Sequence, residues 1–325
     1  MNYDNDNPHQ LSGYGTRTFV YDDAGNMTHN GGFAKFAWDH RSRLKSTYDI
    51  ASEDSTYYKY DHNNQRFIKY TERYVWVPPD IEDPYVEMRA MTSKVGGGGY
   101  YELRRVKEDK YVDGYFEKNL GDHTRTHINL GSMKIATAKD TSDPYFILSD
   151  HLNSSTIITD NSGNVAEISD YAPYGTEAYS DVTQDVGDDY TFTGQEYDEE
   201  NNTQYFGARY MDNEIGRFLS VDPATLILHD GQELKEITNG DLQKLLSNPQ
   251  NLNSYSYSIN NPVIYVDPDG NFLETFLDVG FVTYDSGNTL YKGGQFIGSL
   301  FSGNLQQASD ASEAFLGSFV DLGTD

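Results

Sequence analysis

Apolar and polar positions alternate along short stretches of the chain, each stretch ends in a polar turn, and the stretches resemble one another. "FVYDDAGNMTHN" (19–30), "FAWDHRSRLKSTYD" (36–49) and "YYKYDHNNQRFIKYTE" (57–72) each place aromatic residues before an aspartate, then a polar turn, then a second alternating run. A period of two marks a half-buried β-strand, and Ala24-Gly25-Asn26 and Asn63-Asn64 are residues that hairpin turns favour. The spacing is about twenty residues, too short for a unit to bury its own apolar face. Such units stack on their neighbours, so an extended or spiralling sheet is expected rather than a compact sandwich.

The alternation continues from 73 to 149 through "RYVWV" and "YYELRRVKED", broken by Pro78-Pro79 and by Gly96 to Gly99. Those glycines lack the strand-to-helix setting and the lysine of a phosphate cradle, and read as a loop. His123 and His127 in "HTRTH" stand four apart in a strand-like or loop-like context with no third ligand, so a solvent-exposed pair is expected and no metal site. Farther on, "NNPVIYVDPDGNF" (260–272) begins as a buried-strand candidate, Val263 to Val266. It ends in two turn dipeptides, Asp267-Pro268 and Asp269-Gly270. Leu234, Ile237, Leu242, Leu245 and Leu246 fall near helical spacing and predict a short helical insertion over about 226–248. Leu273, Phe276, Leu277 and Phe281 predict a helical, hydrophobic tail over 272–325.

Composition narrows the picture in three ways. Twenty-seven Tyr, 16 Phe and 29 Gly in 325 residues suit short strands and hairpins built on aromatic packing. There is no cysteine, so no disulfide braces the fold. Fifty-one acidic against 24 basic residues give a formal net charge of -27, which repels nucleic acid and anionic membranes. The first residues, "MNYDNDNPHQ", carry no basic segment followed by an apolar run, so no signal peptide is recognisable in this chain, and no uninterrupted apolar stretch is long enough to span a bilayer.

Three blocks follow in order: "YFILSDHLNSSTIITDNSGNVAEISDYAPYG" (145–175), "YTFTGQEYDEENNTQYFGARYMDNEIGRFLSVDP" (190–223) and "NLNSYSYSINNPVIYVDPDG" (251–270). Together with the Tyr-Asp units they closely resemble the core of the RHS or YD-repeat family, over residues 17 to 271 and most weakly between 73 and 140. The resemblance implies a mainly β fold in which a coiled YD-repeat sheet forms part of a hollow shell. It divides the chain into a degenerate YD-repeat sheet (1–144), a core-associated plug (145–271) and a connector to a missing or truncated toxin (272–325). Bacterial members hold a C-terminal toxin inside the shell, and the animal teneurins use the same shell for adhesion.

Many toxin-bearing members cut themselves at the end of the core with two aspartates and one arginine. The matching residues here are Arg209 in "GARYMD", Asp222 in "LSVDP" and Asp267 in "YVDPDG", and the bond is Asn271–Phe272. Two close carboxylates do not both ionise cheaply; one keeps a proton to polarise the carbonyl while the other acts as base on a water. The chain departs from the family pattern at three points. The residue before the cut is usually Leu and is Asn271 here, the first motif lacks its glycine (Asp222-Pro223-Ala224-Thr225), and the aspartates lie 45 residues apart, about twice the family's separation. On the residues alone, Asp222 and Asp267 equally suit turns before proline, and restoring Leu at 271 would speed any cut.

Two functions remain. One is the C-terminal shell segment of an exported polymorphic toxin that encapsulates an effector, acting once on itself as an aspartyl autoprotease. The other is a cell-surface adhesion or glycan-binding protein without toxin. Expected partners are the chain's own toxin segment or upstream repeats, a secretion apparatus and an immunity protein; no cofactor, nucleic acid or external substrate is expected. An open spiral rather than a closed cage is expected, with free strand edges that favour association.

Overall fold

The computed structural model describes residues 1–4, 7–77, 100–112, 115–121, 123–131, 133–184, 186–223, 250 and 253–271. The expected insertion at 226–248, the connector at 272–325 and the Gly96 to Gly99 loop lie outside them.

The fold is mainly β. Eight strands carry the first repeats: β1 (Asn2–Tyr3), β2 (Leu11–Tyr14), β3 (Arg17–Tyr21), β4 (Met27–Asn30), β5 (Ala34–Trp38), β6 (Leu44–Asp49), β7 (Ser55–Tyr60) and β8 (Arg66–Val77). Eight more extend the same sheet: β9 (Tyr100–Val112), β10 (Phe116–Asn119), β11 (Thr124–Leu130), β12 (Met133–Lys139), β13 (Tyr145–Ser149), β14 (Ser155–Thr159), β15 (Val165–Tyr171) and β16 (Glu177–Val182). The sixteen lie in sequence order, each antiparallel to the next, so the sheet is one long meander. A separate four-stranded sheet follows, made of β17 (Glu196–Asp198), β18 (Thr203–Tyr205), β19 (Tyr210–Asp212) and β20 (Arg217–Phe218).

The aspartate of each repeat closes its hairpin. Asp22 Oδ1 accepts from the amides of Ala24 and Asn26, Asp39 Oδ1 from Arg41 and Arg43, and Asp61 Oδ1 from Asn63 and Gln65. Asp150 and Asp160 repeat the pattern. These are side-chain turns, in which a carboxylate replaces the partners that a tight loop cannot offer its own amides. The positive φ expected of the turns appears at Gly25 (86°) and Asn64 (64°). The aromatic before the aspartate then clamps the strand behind it. Trp38 Nε1 donates to Met27 O at 2.7 Å and Tyr60 Oη to Leu44 O at 2.9 Å. Met27 and Leu44 are both fully buried.

The four-stranded unit and its flanking loops fill one side of the large sheet. Leu11, Met27, Phe36, Leu44 and Tyr58 of the sheet pack with Tyr210, Ile215 and Leu219. At the far side, Ser155 N of β14 donates to Thr191 O, 3.1 Å away. Strands β2 and β14 are twelve intervals apart, on the order of 60 Å in a flat sheet at ~4.8 Å per strand. Both reach the same small unit, so the sheet curves around it, open at β1 and β16.

Two local expectations are corrected. Residues 263–266 are not a buried strand: the amides of Ile264 and Tyr265 both donate to Asn261 O, closing a turn, and Val263 and Ile264 are exposed. A left-handed turn at Ser258, Ile259 and Asn260 (φ 47°, 54° and 58°) precedes it and turns the chain out of ladder geometry. His123 and His127 are not an exposed pair. Inward alternation along β11 buries His127, whose Nε2 lies 3.0 Å from Glu117 Oε1, while His123 stays at the surface beside Asp140. No helix among the described residues is long and apolar enough to cross a membrane.

Candidate functional site

Arg209, Asp222 and Asp267 meet beside the four-stranded sheet, although Asp267 lies 58 residues after Arg209 in sequence. Arg209 ends the loop between β18 and β19, where Phe206 N donates to Arg209 O and Ala208 N reaches across to Asp269 O, each at 2.9 Å. Asp222 follows β20 and is fixed by its own amide, which donates to Ser254 O at 3.0 Å. Asp267 begins the turn whose Gly270 N donates back to Asp267 Oδ1 at 2.9 Å. Gly270 has a φ of 75°, and a Cβ there would come within 2.7 Å of Phe206 O, so only glycine fits.

The guanidinium is the hub. Nη2 lies 2.9 Å from Asp267 Oδ2 and 3.2 Å from Asp222 Oδ2, Nε donates to Gly270 O at 2.5 Å, and Nη1 donates to Ser254 O at 3.2 Å. The Phe218 ring lies 3.6 Å from the guanidinium carbon. All three guanidinium nitrogens are engaged, and the ring adds a cation–π contact in a desolvated place. Arg209, Asp222 and Asp267 are each at most 2% exposed.

One buried cation faces two buried carboxylates. Burial pushes the Asp267 carboxyl up to about 6; Arg209 opposes the shift, and Asp269 and Asp222 reinforce it. Asp267 therefore keeps its proton to a higher pH than an ordinary aspartate does, which suits it to donate.

Sequence reasoning did not find four contributors: the Ser254 carbonyl, the Phe218 ring, Gln195, whose Nε2 donates to Pro268 O at 2.7 Å, and Asp269. Asp269 accepts from both nitrogens of Asn271, N at 3.0 Å and Nδ2 at 3.1 Å. Only the last had a local signal, an acid two residues before the bond. Phe272 lies outside the described residues.

A second buried charged cluster carried no signal. Arg66 pairs with Asp198 at 2.6 Å and Glu196 at 2.5 Å, and Lys69 with both at 2.9 Å. Tyr111 Oη donates to Glu196 at 2.6 Å, and the Arg66 guanidinium lies over the Tyr205 ring. Burial alone would raise the Glu196 carboxyl; Arg66 and Lys69 outweigh it and hold it well below the usual range. A cavity of about 520 Å³ lined by Arg17, Glu167, Glu177, Asp188, Asp212 and Glu214 is not lined by any of the trio. No set of three or more metal-ligating side chains occurs among the described residues.

Similarity to known proteins agrees with this architecture. No protein-family model matches the chain. It is 26% identical over 279 residues to the tRNA3(Ser)-specific nuclease WapA of Bacillus spizizenii, covering 85% of this chain and 10% of the relative. It is 25% identical over 252 residues to toxin subunit YenC2 of Yersinia entomophaga, covering 72% of this chain and 22% of that subunit. The chain thus spans less than a quarter of either relative. Among solved structures, the TcdB2-TccC3-Cdc42 complex superposes at a TM-score of 0.51 with 18% identity, over 82% of this chain and 14% of that one. TcdB2-TccC3 solved without its hypervariable C-terminal region gives 0.50 with 19% identity, over 78% and 13%. The structural likenesses share the open antiparallel sheet, and the relatives support an RHS-like, toxin-related protein.

Proposed function

We propose that the chain is the shell segment of a polymorphic toxin, which encloses and presents a C-terminal effector, and that it severs its own Asn271–Phe272 bond. The observation that carries the proposal is the buried meeting of Arg209, Asp222 and Asp267 around a turn that ends one residue before that bond. A nuclease and a toxin subunit among the relatives, and a neighbour with a hypervariable C-terminal region, support a carrier whose cargo lies beyond the plug. Export follows from that role, with a secretion apparatus and an immunity protein as partners.

In the cut, Asp267 carries the proton and gives it to the scissile carbonyl oxygen, while Asp222 takes a proton from the attacking nucleophile, water in the family's scheme. The C–N bond then breaks as Asp222 passes its proton to the Phe272 nitrogen, which leaves as an amine, and the new carboxyl returns a proton to Asp267. Arg209 keeps the carboxyls and the Gly270 carbonyl in register. Intact-mass measurement of the full chain tests this. A fragment ending at Asn271 is expected, lost in both Asp222→Asn and Asp267→Asn; a wild-type chain that stays whole overturns the cut.

Adhesion is the second reading. Trp76 and Tyr101 stand edge to face at 5.2 Å on the paired strands β8 and β9, and both are exposed, as a sugar-stacking surface requires. Glycan-array binding that disappears in Trp76→Ala would favour it.

A further inference from the structure

Asn271 departs most from an apolar residue at the cut, yet its side chain has a defined place. Asp269 Oδ1 accepts from its backbone N and Asp269 Oδ2 from its Nδ2. Asp269 is itself fixed, since its carbonyl accepts from Ala208 N and the residues on either side are bonded, Pro268 O by Gln195 and Gly270 O by Arg209.

An asparagine Nδ2 reaches its own backbone carbonyl carbon by closing a five-membered ring. Tethered, oriented nucleophiles of this kind act at effective concentrations of roughly 10⁵–10⁸ M, far above what a single water offers. The amide nitrogen is a weak nucleophile until a base removes a proton, and a carboxylate at 3.1 Å is within reach to do so.

We infer that Asn271 is the nucleophile of its own cleavage, with Asp269 as general base. The inference rests on the proposed cut at this bond and changes what attacks and which carboxylate takes its proton, Asp269 in place of Asp222. Nδ2 bonds to the Asn271 backbone carbonyl carbon as the C–N bond to Phe272 breaks. One Nδ2 proton passes to Asp269 and on to the departing Phe272 nitrogen. The larger fragment then ends in an aminosuccinimide ring, the smaller begins with a free amine, and no water is consumed. Asp267 and Arg209 keep the roles already given them.

The full chain expressed in heavy-oxygen water, with variants, decides the matter. Wild type should yield a fragment lighter by one water than the hydrolytic product, without heavy oxygen until the ring opens. Asp269→Asn should slow the cut by roughly 10²–10⁴-fold, the range a general base supplies. Asn271→Leu should stay whole, with folding checked by circular dichroism; because Leu is the usual residue here in the similar family, its failure to cut is not a poor fit. Asn271→Gln keeps the amide but needs a larger ring, and should be slower than wild type. If Asn271→Leu cuts and takes heavy oxygen into its new carboxyl, the inference falls and the proposed cut by water stands. If the wild type never cuts, both fall.

Discussion

One face of the large sheet meets the four-stranded unit and its flanking loops in two different ways. Strands β2 to β7 meet it mostly with apolar side chains, Leu11, Met27, Phe36 and Leu44 against Ile215 and Leu219, with Arg17, paired to Asp212 and Glu214, as the charged exception. Strands β8 to β12 meet it with charges: Arg66 and Lys69 against Glu196 and Asp198, and Lys134 against Asp188. Apolar contact has no direction and tolerates small slips. A buried ion pair offsets its desolvation only when fork and carboxylate face each other, so the second region fixes where the four-stranded unit sits along the sheet. The first region supplies adhesion and the second supplies registration.

The largest expected effect breaks the charged side. Asp198→Ala leaves Arg66 and Lys69 buried without the carboxylate they share at 2.6 and 2.9 Å and should cost about 3–5 kcal/mol in urea unfolding; Arg66→Lys, which keeps charge but loses the fork, should cost less. Leu44→Ala on the apolar side should cost about 2–5 kcal/mol, with little dependence on salt or pH. Acid sharpens the contrast. The ion pairs of Glu196 stabilise the fold above its ordinary value of 4.5 and are lost as pH falls toward its depressed folded value, so acid should loosen β8 to β12 before β2 to β7 in hydrogen exchange. Asp267 has the opposite sign: its folded form prefers the proton, so stability declines as pH rises from 3.8 to about 6. Asp267→Asn should flatten that decline in unfolding curves, and the wild-type cut should quicken as pH falls through about 6. The smallest effect is local. Asp39→Ala removes the acceptor for the Arg41 and Arg43 amides and should cost about 1 kcal/mol.

The apolar side was legible in the sequence because its signal is periodic and local. Tyr-Asp units announced hairpins, and Asp22, Asp39 and Asp61 close them as turn chemistry requires. The charged side was not, because Lys69 and Asp198 become partners only after the sheet has curved, 129 residues apart in sequence. Val263 and Ile264 misled for a related reason. Their β-branched character suits a strand, but the left-handed turn at Ser258 to Asn260 commits the next amides to Asn261. The trio was legible only through resemblance, since nothing in the spacing of Arg209, Asp222 and Asp267 says that one guanidinium touches both acids.

The clamp of each aromatic on the strand before it has a consequence for how such genes grow. Trp38 reaches Met27 and Tyr60 reaches Leu44 through the same bond to a backbone carbonyl, which every residue possesses. A duplicated unit inserted between two others therefore arrives with its fastening already compatible on both sides, whatever side chains it carries. Coding length can change by whole units at little risk to the sheet, as in other stacked architectures.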